Sequence, residues 1–121
     1  MVLQAAPARF DPWEDIFPHI WSAMQKAVGA PYAAHADLYR KFAPIEHVDA
    51  AAPPLFYMHA ENEHMFPLRY LEDFQRRMEA NGRRCVLKTY TNAEHGFFYD
   101  LTRRQQREAF ADMLGFLDTL T

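Results

Sequence analysis

The sequence predicts an α/β fold, a small parallel sheet of about three strands with helices on both faces. Two observations lead there. The run Leu55–Met58 is apolar at every position, which is how a strand covered on both faces reads, in contrast to the alternation of a half-solvated strand. Strand-like and helix-like segments also alternate along the chain, and such alternation calls for helical crossovers and a parallel sheet. Half of the 121 residues are apolar, enough to build one core, so the chain is read as a single domain.

Taken in order, Val2–Ala6 is a short apolar run with the pattern of a strand, or the end of one, within residues 1–10. Residues 11–52 form a helical segment. Asp11-Pro12-Trp13-Glu14 has the character of a helix start, but Pro18 interrupts it, so a turn is expected there, followed by a helix over 18–28 that Gly29 ends. A second short helix is expected between Pro31 and Pro44, with Leu38 and Phe42 facing inward. Residues 53–121 then read strand, helix, strand, helix. The strand from Leu55 carries His59 at its end. Pro67 opens a helix with Leu71, Phe74 and Met78 on one side, which Asn81-Gly82 stops. Cys85–Tyr90 is the next strand, and Asn92–His95 is the turn after it. Thr102 with Gln105 has capping-box spacing. The last helix shows Phe110, Met113, Leu114, Leu117 and Leu120 on one stripe, with Phe116 at its margin.

Charge and composition exclude several function classes. The formal charge is −3 and no basic tail exists, so nothing marks a nucleic-acid surface. Arg76, Arg77, Arg83 and Arg84 are interleaved with acids and read as solvated faces. No run reaches the roughly 20 apolar residues of a membrane helix, and MVLQAAPARFDPWED lacks the basic start of a signal peptide. The single cysteine, Cys85, allows no intrachain disulfide and fits a reducing compartment, so a cytoplasmic setting is expected.

Chemistry in open parallel sheets gathers beyond the carboxyl ends of the strands. There the sequence places His59, Glu61, Glu63 and His64 after one strand, and Asn92, Glu94 and His95 after another. An acid beside a histidine is the oriented base of nucleophilic hydrolysis, because the carboxylate fixes one ring nitrogen and frees the other to take a proton. The same residues contain enough nitrogen and oxygen for a zinc or manganese site. However, there is no His-Glu-x-x-His helix, and His59-x-x-x-x-His64 is not an established ligand spacing. The reading therefore includes neither metal nor cofactor.

The stretch YRKFAPIEHVDAAAPPLFYMHAENEHMFP, followed by a Gly-ended helix, a strand and AEHGFF, resembles the C-terminal part of α/β-hydrolase-fold esterases. The likeness is greatest to the small carboxylesterase and acetyl-esterase group, with prolyl-oligopeptidase-type hydrolases next. It runs from about Asp11 to the C-terminus, and Val2–Phe10 resembles the tail of the preceding strand. In those proteins a strand ends in His-Gly, a catalytic Asp follows four residues after that His, and a later strand ends at a catalytic His followed by Gly-Phe. The resemblance implies that His95 stands at the catalytic histidine and Glu63 at the acid, with Ala60 where the family has Gly. Asp or Glu can serve as the acid in this fold. Glu63 is one methylene longer than Asp, so its reach to His95 is a matter of geometry.

The family order is Ser, acid, His, with the Ser in a Gly-x-Ser-x-Gly turn. The only serine here is Ser22, in IWSAM inside a predicted helix without glycines, and Cys85 lies in a strand. The resemblance thus implies a carboxylic-ester hydrolase segment with acid and base positions but no nucleophile, inactive alone unless complemented. The alternative is a non-catalytic, self-associating module that keeps the fold. In either case the surfaces that the rest of a hydrolase sheet would cover, a long strand edge and apolar helix faces, are expected to be exposed. Exposed edges and faces of that kind favour a homo-oligomer, or pairing with an N-terminal hydrolase fragment.

Overall fold

The computed structural model describes all 121 residues. Three parallel strands, β1 (Val2–Gln4), β2 (Leu55–Asn62) and β3 (Cys85–Glu94), form one sheet in the order β1-β2-β3. Around it lie α1 (Pro18–Val28), α2 (Tyr32–Phe42), α3 (Leu68–Ala80) and α4 (Arg104–Asp118), with a 3₁₀ turn over Pro44–His47. Leu55 pairs with Cys85 and Phe56 with Val2, so β2 is the central strand. Residues Leu55 to Ala60 are all buried, as an unbroken apolar run requires.

Successive side chains of β2 point to opposite faces, and two cores form accordingly. On one face Leu55 and Tyr57 pack with Leu71, Phe74 and Met78 of α3 and with Ile45 and Val48. On the other, Phe56, Met58 and Ala60 pack with Tyr90, Ala93, Phe97, Ala109 and Phe116. Gly29 ends α1 in the left-handed conformation at φ 77°, its N–H donating to the Gln25 carbonyl at 2.9 Å, the cap that glycine permits without a Cβ clash. The Asp11–Glu14 segment is a turn, not a helix.

Three expectations are corrected. In α2 the inward residue is Tyr39, fully buried with its hydroxyl donating to the Ala30 carbonyl, whereas Phe42 is 43% exposed. In β3 the strand continues past Tyr90 to Glu94, because a bulge at Asn92 (φ 56°) absorbs the register change and lets Glu94 pair with Asn62. Asparagine tolerates that left-handed geometry. In α4 the N-cap is Arg103, whose N–H donates to Gln106 Oε1 at 2.8 Å. The buried face of this helix is Gln106, Ala109 and Phe116, while Phe110, Leu114, Leu117 and Leu120 are exposed. At 100° per residue that stripe lies about a quarter-turn away from the sheet.

This rotation has a measurable consequence. Phe116→Ala removes a ring stacked on Phe56 at 5.6 Å and is expected to cost about 3–5 kcal/mol in urea unfolding. Leu114→Ala is expected to change stability by no more than about 0.5 kcal/mol. Equal losses at the two positions would mean that the stripe, not Phe116, faces the core.

The edge on the β1 side is only three residues long, shorter than the open edge expected. Beside it runs an apolar groove of about 430 Å³ whose walls include Leu3, Pro7, Phe10, Val48 and Met78. No helix is long and apolar enough to cross a membrane.

Candidate active site

Asn62 and Glu94 are the last residues of β2 and β3 and are paired across the sheet. Glu63 and His95 therefore leave neighbouring strand ends one residue beyond a shared register position, and their side chains meet. His95 Nδ1–H donates to Glu63 Oε2 at 2.7 Å. Because that nitrogen carries the proton, Nε2 of the neutral ring is left as an acceptor. The ring is a quarter exposed, and Phe66 covers one side at 5.8 Å.

The Glu63 side chain is only 4% exposed, and a carboxylate this deep must be matched by donors. Its Oε1 accepts from the Met65 N–H at 2.7 Å and the Phe66 N–H at 3.3 Å. The extra methylene thus has a use: one oxygen anchors the acid to its own loop while the other reaches the imidazole.

The remaining polar residues at these strand ends tie the loops together and do not converge on a point. Glu61 Oε2 accepts from the Asn92 N–H at 2.8 Å, across the β3 bulge. Asn62 Nδ2–H donates to Glu94 Oε1 at 3.2 Å. His64 is exposed, donating from Nδ1 to the Asn62 carbonyl at 3.1 Å and meeting the Phe17 ring edge-on. No three ligating side chains come close enough together to hold a metal ion. Sequence reasoning passed over Gln106, whose visible signal was a polar residue three positions before Ala109 on what becomes the helix's buried face.

His59 is 6% exposed within β2, on the α3 side. Burial lowers its pKa, outweighing the opposing charges of Glu63 and Glu72. The native state therefore resists protonation there, and the unfolded chain takes up the proton first as pH falls below about 6.5. This contribution to stability is complete above that pH and is lost below it. Urea unfolding at about pH 7.5 and about pH 5 is expected to show a steeper loss for the natural chain than for His59→Gln; equal slopes would contradict it.

Neither Ser22 nor Cys85 is hydrogen-bonded to the pair. Ser22 sits on the exposed face of α1, and the single side-chain hydrogen bond of His95 is to Glu63. Cys85 opens β3 at the strand's far end, roughly 30 Å from His95 by strand rise. Burial pushes its thiol up to about 11, so it is neither placed nor activated for attack.

The sequence model of the dienelactone hydrolase family matches residues 20–120. The chain belongs to the dienelactone hydrolase family. Both Glu63 and His95 lie inside the matched span, as do β2, α3, β3 and α4. Solved structures agree on the fold. Esterase 2 of Thermogutta terrifontis, phosphonylated by sarin, superposes with a TM-score of 0.65 at 21% identity over 98% of this chain and 41% of that one. The propionate-bound form of that thermophilic esterase gives 0.61 at 22% identity, covering 98% and 40%. The paraoxon-phosphorylated form gives 0.55 at 25% identity, covering 64% and 31%. The chain thus spans at most about two-fifths of the esterase's length. No curated protein matches the sequence. Family and fold together make this a hydrolase-related, esterase-like chain.

Proposed function

We propose that the chain contributes the base and acid of a serine-type carboxylic-ester hydrolase, and that the attacking hydroxyl comes from polypeptide outside these 121 residues. The observation that carries this is the 2.7 Å bond from His95 Nδ1–H to a buried Glu63 at paired strand ends. In that arrangement Nε2 takes the proton of a serine hydroxyl as its oxygen bonds to the ester carbonyl carbon. The imidazolium is steadied by Glu63, which stays ionised. Nε2–H then gives the proton to the departing alkoxide as the ester C–O bond breaks, leaving an acyl-serine. Water, deprotonated by the same nitrogen, releases the acid. The structural neighbours are described with propionate and butyrate bound, so short-chain acyl esters are the substrates of choice.

The partner proposal follows from the uncovered surface. The short β1 edge, the 430 Å³ groove beside it and the exposed α4 stripe fit either the nucleophile-bearing polypeptide or a second copy, within a reducing, cytoplasmic compartment. The α4 stripe favours one competing reading, a self-associating module without chemistry.

Turnover of p-nitrophenyl propionate separates the two readings. The chain alone is expected to show none, and turnover is expected when the polypeptide encoded upstream of it is supplied. No turnover in the mixture, together with a stable dimer by light scattering, would establish the module instead.

A further inference from the structure

The imidazole of His95 can serve as a base only if its backbone is held, and the sheet does not hold it. The β2–β3 ladder ends at Glu94. Past that point the backbone makes only local bonds, from the Phe97 N–H to the Glu94 carbonyl at 3.0 Å and from the Tyr99 N–H to the Phe97 carbonyl at 3.1 Å. Gly96 turns the chain at φ 69°, so the direction of the ring depends on how the peptides after it are fixed.

Two glutamines from separate elements fix them. Gln106, in the first turn of α4, is 1% exposed and donates from Nε2 to the Phe97 carbonyl at 2.8 Å. Its Oε1 accepts from the Arg103 N–H at 2.8 Å and, more weakly, from the Thr102 hydroxyl at 3.5 Å. Gln4 ends β1, paired with Met58 and so on the sheet face that also holds Phe97. With its amide oxygen turned toward the loop, the orientation that matches donors to acceptors, it accepts from the Phe97 N–H at 2.9 Å and the Phe98 N–H at 3.1 Å. Docking α4 on the sheet needs only an apolar side chain at position 106. A fully buried amide is costly unless every polar atom is matched, and here the match is the peptide chain just past His95. Glu63 is held differently, by the N–H groups of its own loop.

We propose that Gln4 and Gln106 are positioning residues that clamp the turn after His95 and thereby set its ring against Glu63. The inference rests on reading His95 as the base, but its test reads ring geometry and needs no turnover. The probe is the His95 Nδ1–H resonance in the ¹⁵N-histidine-labelled chain, assigned by its loss in His95→Gln. Exchange of this proton with solvent is expected to speed up by about tenfold or more in Gln4→Met and in Gln106→Met. Gln4→Glu retains an acceptor oxygen and is expected to behave as the natural chain. Gln75→Met is the matched control, since Gln75 makes a similar bond to the Cys85 carbonyl at the far end of β3; it is expected to leave the resonance alone.

Unchanged exchange in Gln4→Met would overturn the clamp, as would equal acceleration in Gln75→Met. Should Gln106→Met fail to fold, the contrast between Gln4→Met and Gln4→Glu decides the matter. Absence of ester turnover in the complemented mixture would refute the hydrolase reading while leaving this resonance where it is.

Discussion

His95→Ala is expected to lower ester turnover of the complemented protein by roughly a million-fold, the loss seen when the base of a triad is removed. The fold is expected to survive, because the imidazole is a quarter exposed and makes one side-chain hydrogen bond. Removing it leaves Glu63 with two backbone donors, Met65 and Phe66, so no buried charge is stranded. Steady-state kinetics of the variant beside the natural chain, with unfolding curves for both, checks the two halves together. A loss below about a hundredfold would mean that another group takes the proton.

Glu63→Gln is the more discriminating change, with an expected loss of about 10⁴-fold in kcat. Glutamine can keep its oxygen on the Met65 N–H, now at 2.7 Å from Oε1, but then presents an amide N–H to His95 Nδ1. The ring answers by moving its proton to Nε2, the nitrogen that has to accept from the nucleophile. Activity falls through the tautomer while stability changes by no more than about 1 kcal/mol. Glu63→Ala is different: it leaves the Met65 and Phe66 amides without their acceptor, at about 1–3 kcal/mol each where they are buried. Activity and urea midpoint measured on both variants separate tautomer control from loop support. Equal activity in Glu63→Gln and the natural chain would show that the carboxylate does not orient the ring.

The central strand and α3 were legible because their signals are local and redundant. Leu55–Met58 is apolar throughout, and Leu71, Phe74 and Met78 mark one helix face with Asn81-Gly82 beyond it. The Glu63 and His95 positions were legible as polar residues just past strand ends, and the structure brings the two side chains together despite the longer side chain of Glu63. The orientation of α4 was not. Its strongest apolar stripe, Phe110, Leu114 and Leu117, points to solvent, while the core takes Ala109, Phe116 and the polar Gln106. Periodicity finds the most hydrophobic face, but the face that docks is the one that stacks Phe116 on Phe56 and buries Gln106 against Phe97 and Arg103, and no hydrophobic pattern encodes a buried polar side chain. The extension of β3 was hidden similarly, since its bulge at Asn92 depends on the Glu61 carboxylate from the neighbouring strand.

Fluorophosphonate labelling followed by peptide mass spectrometry locates the nucleophile most directly. The chain alone is expected to carry no adduct, while its mixture with the upstream-encoded polypeptide carries one, on a serine of that polypeptide, which disappears in His95→Ala. An adduct on Ser22 of the chain by itself would contradict the account.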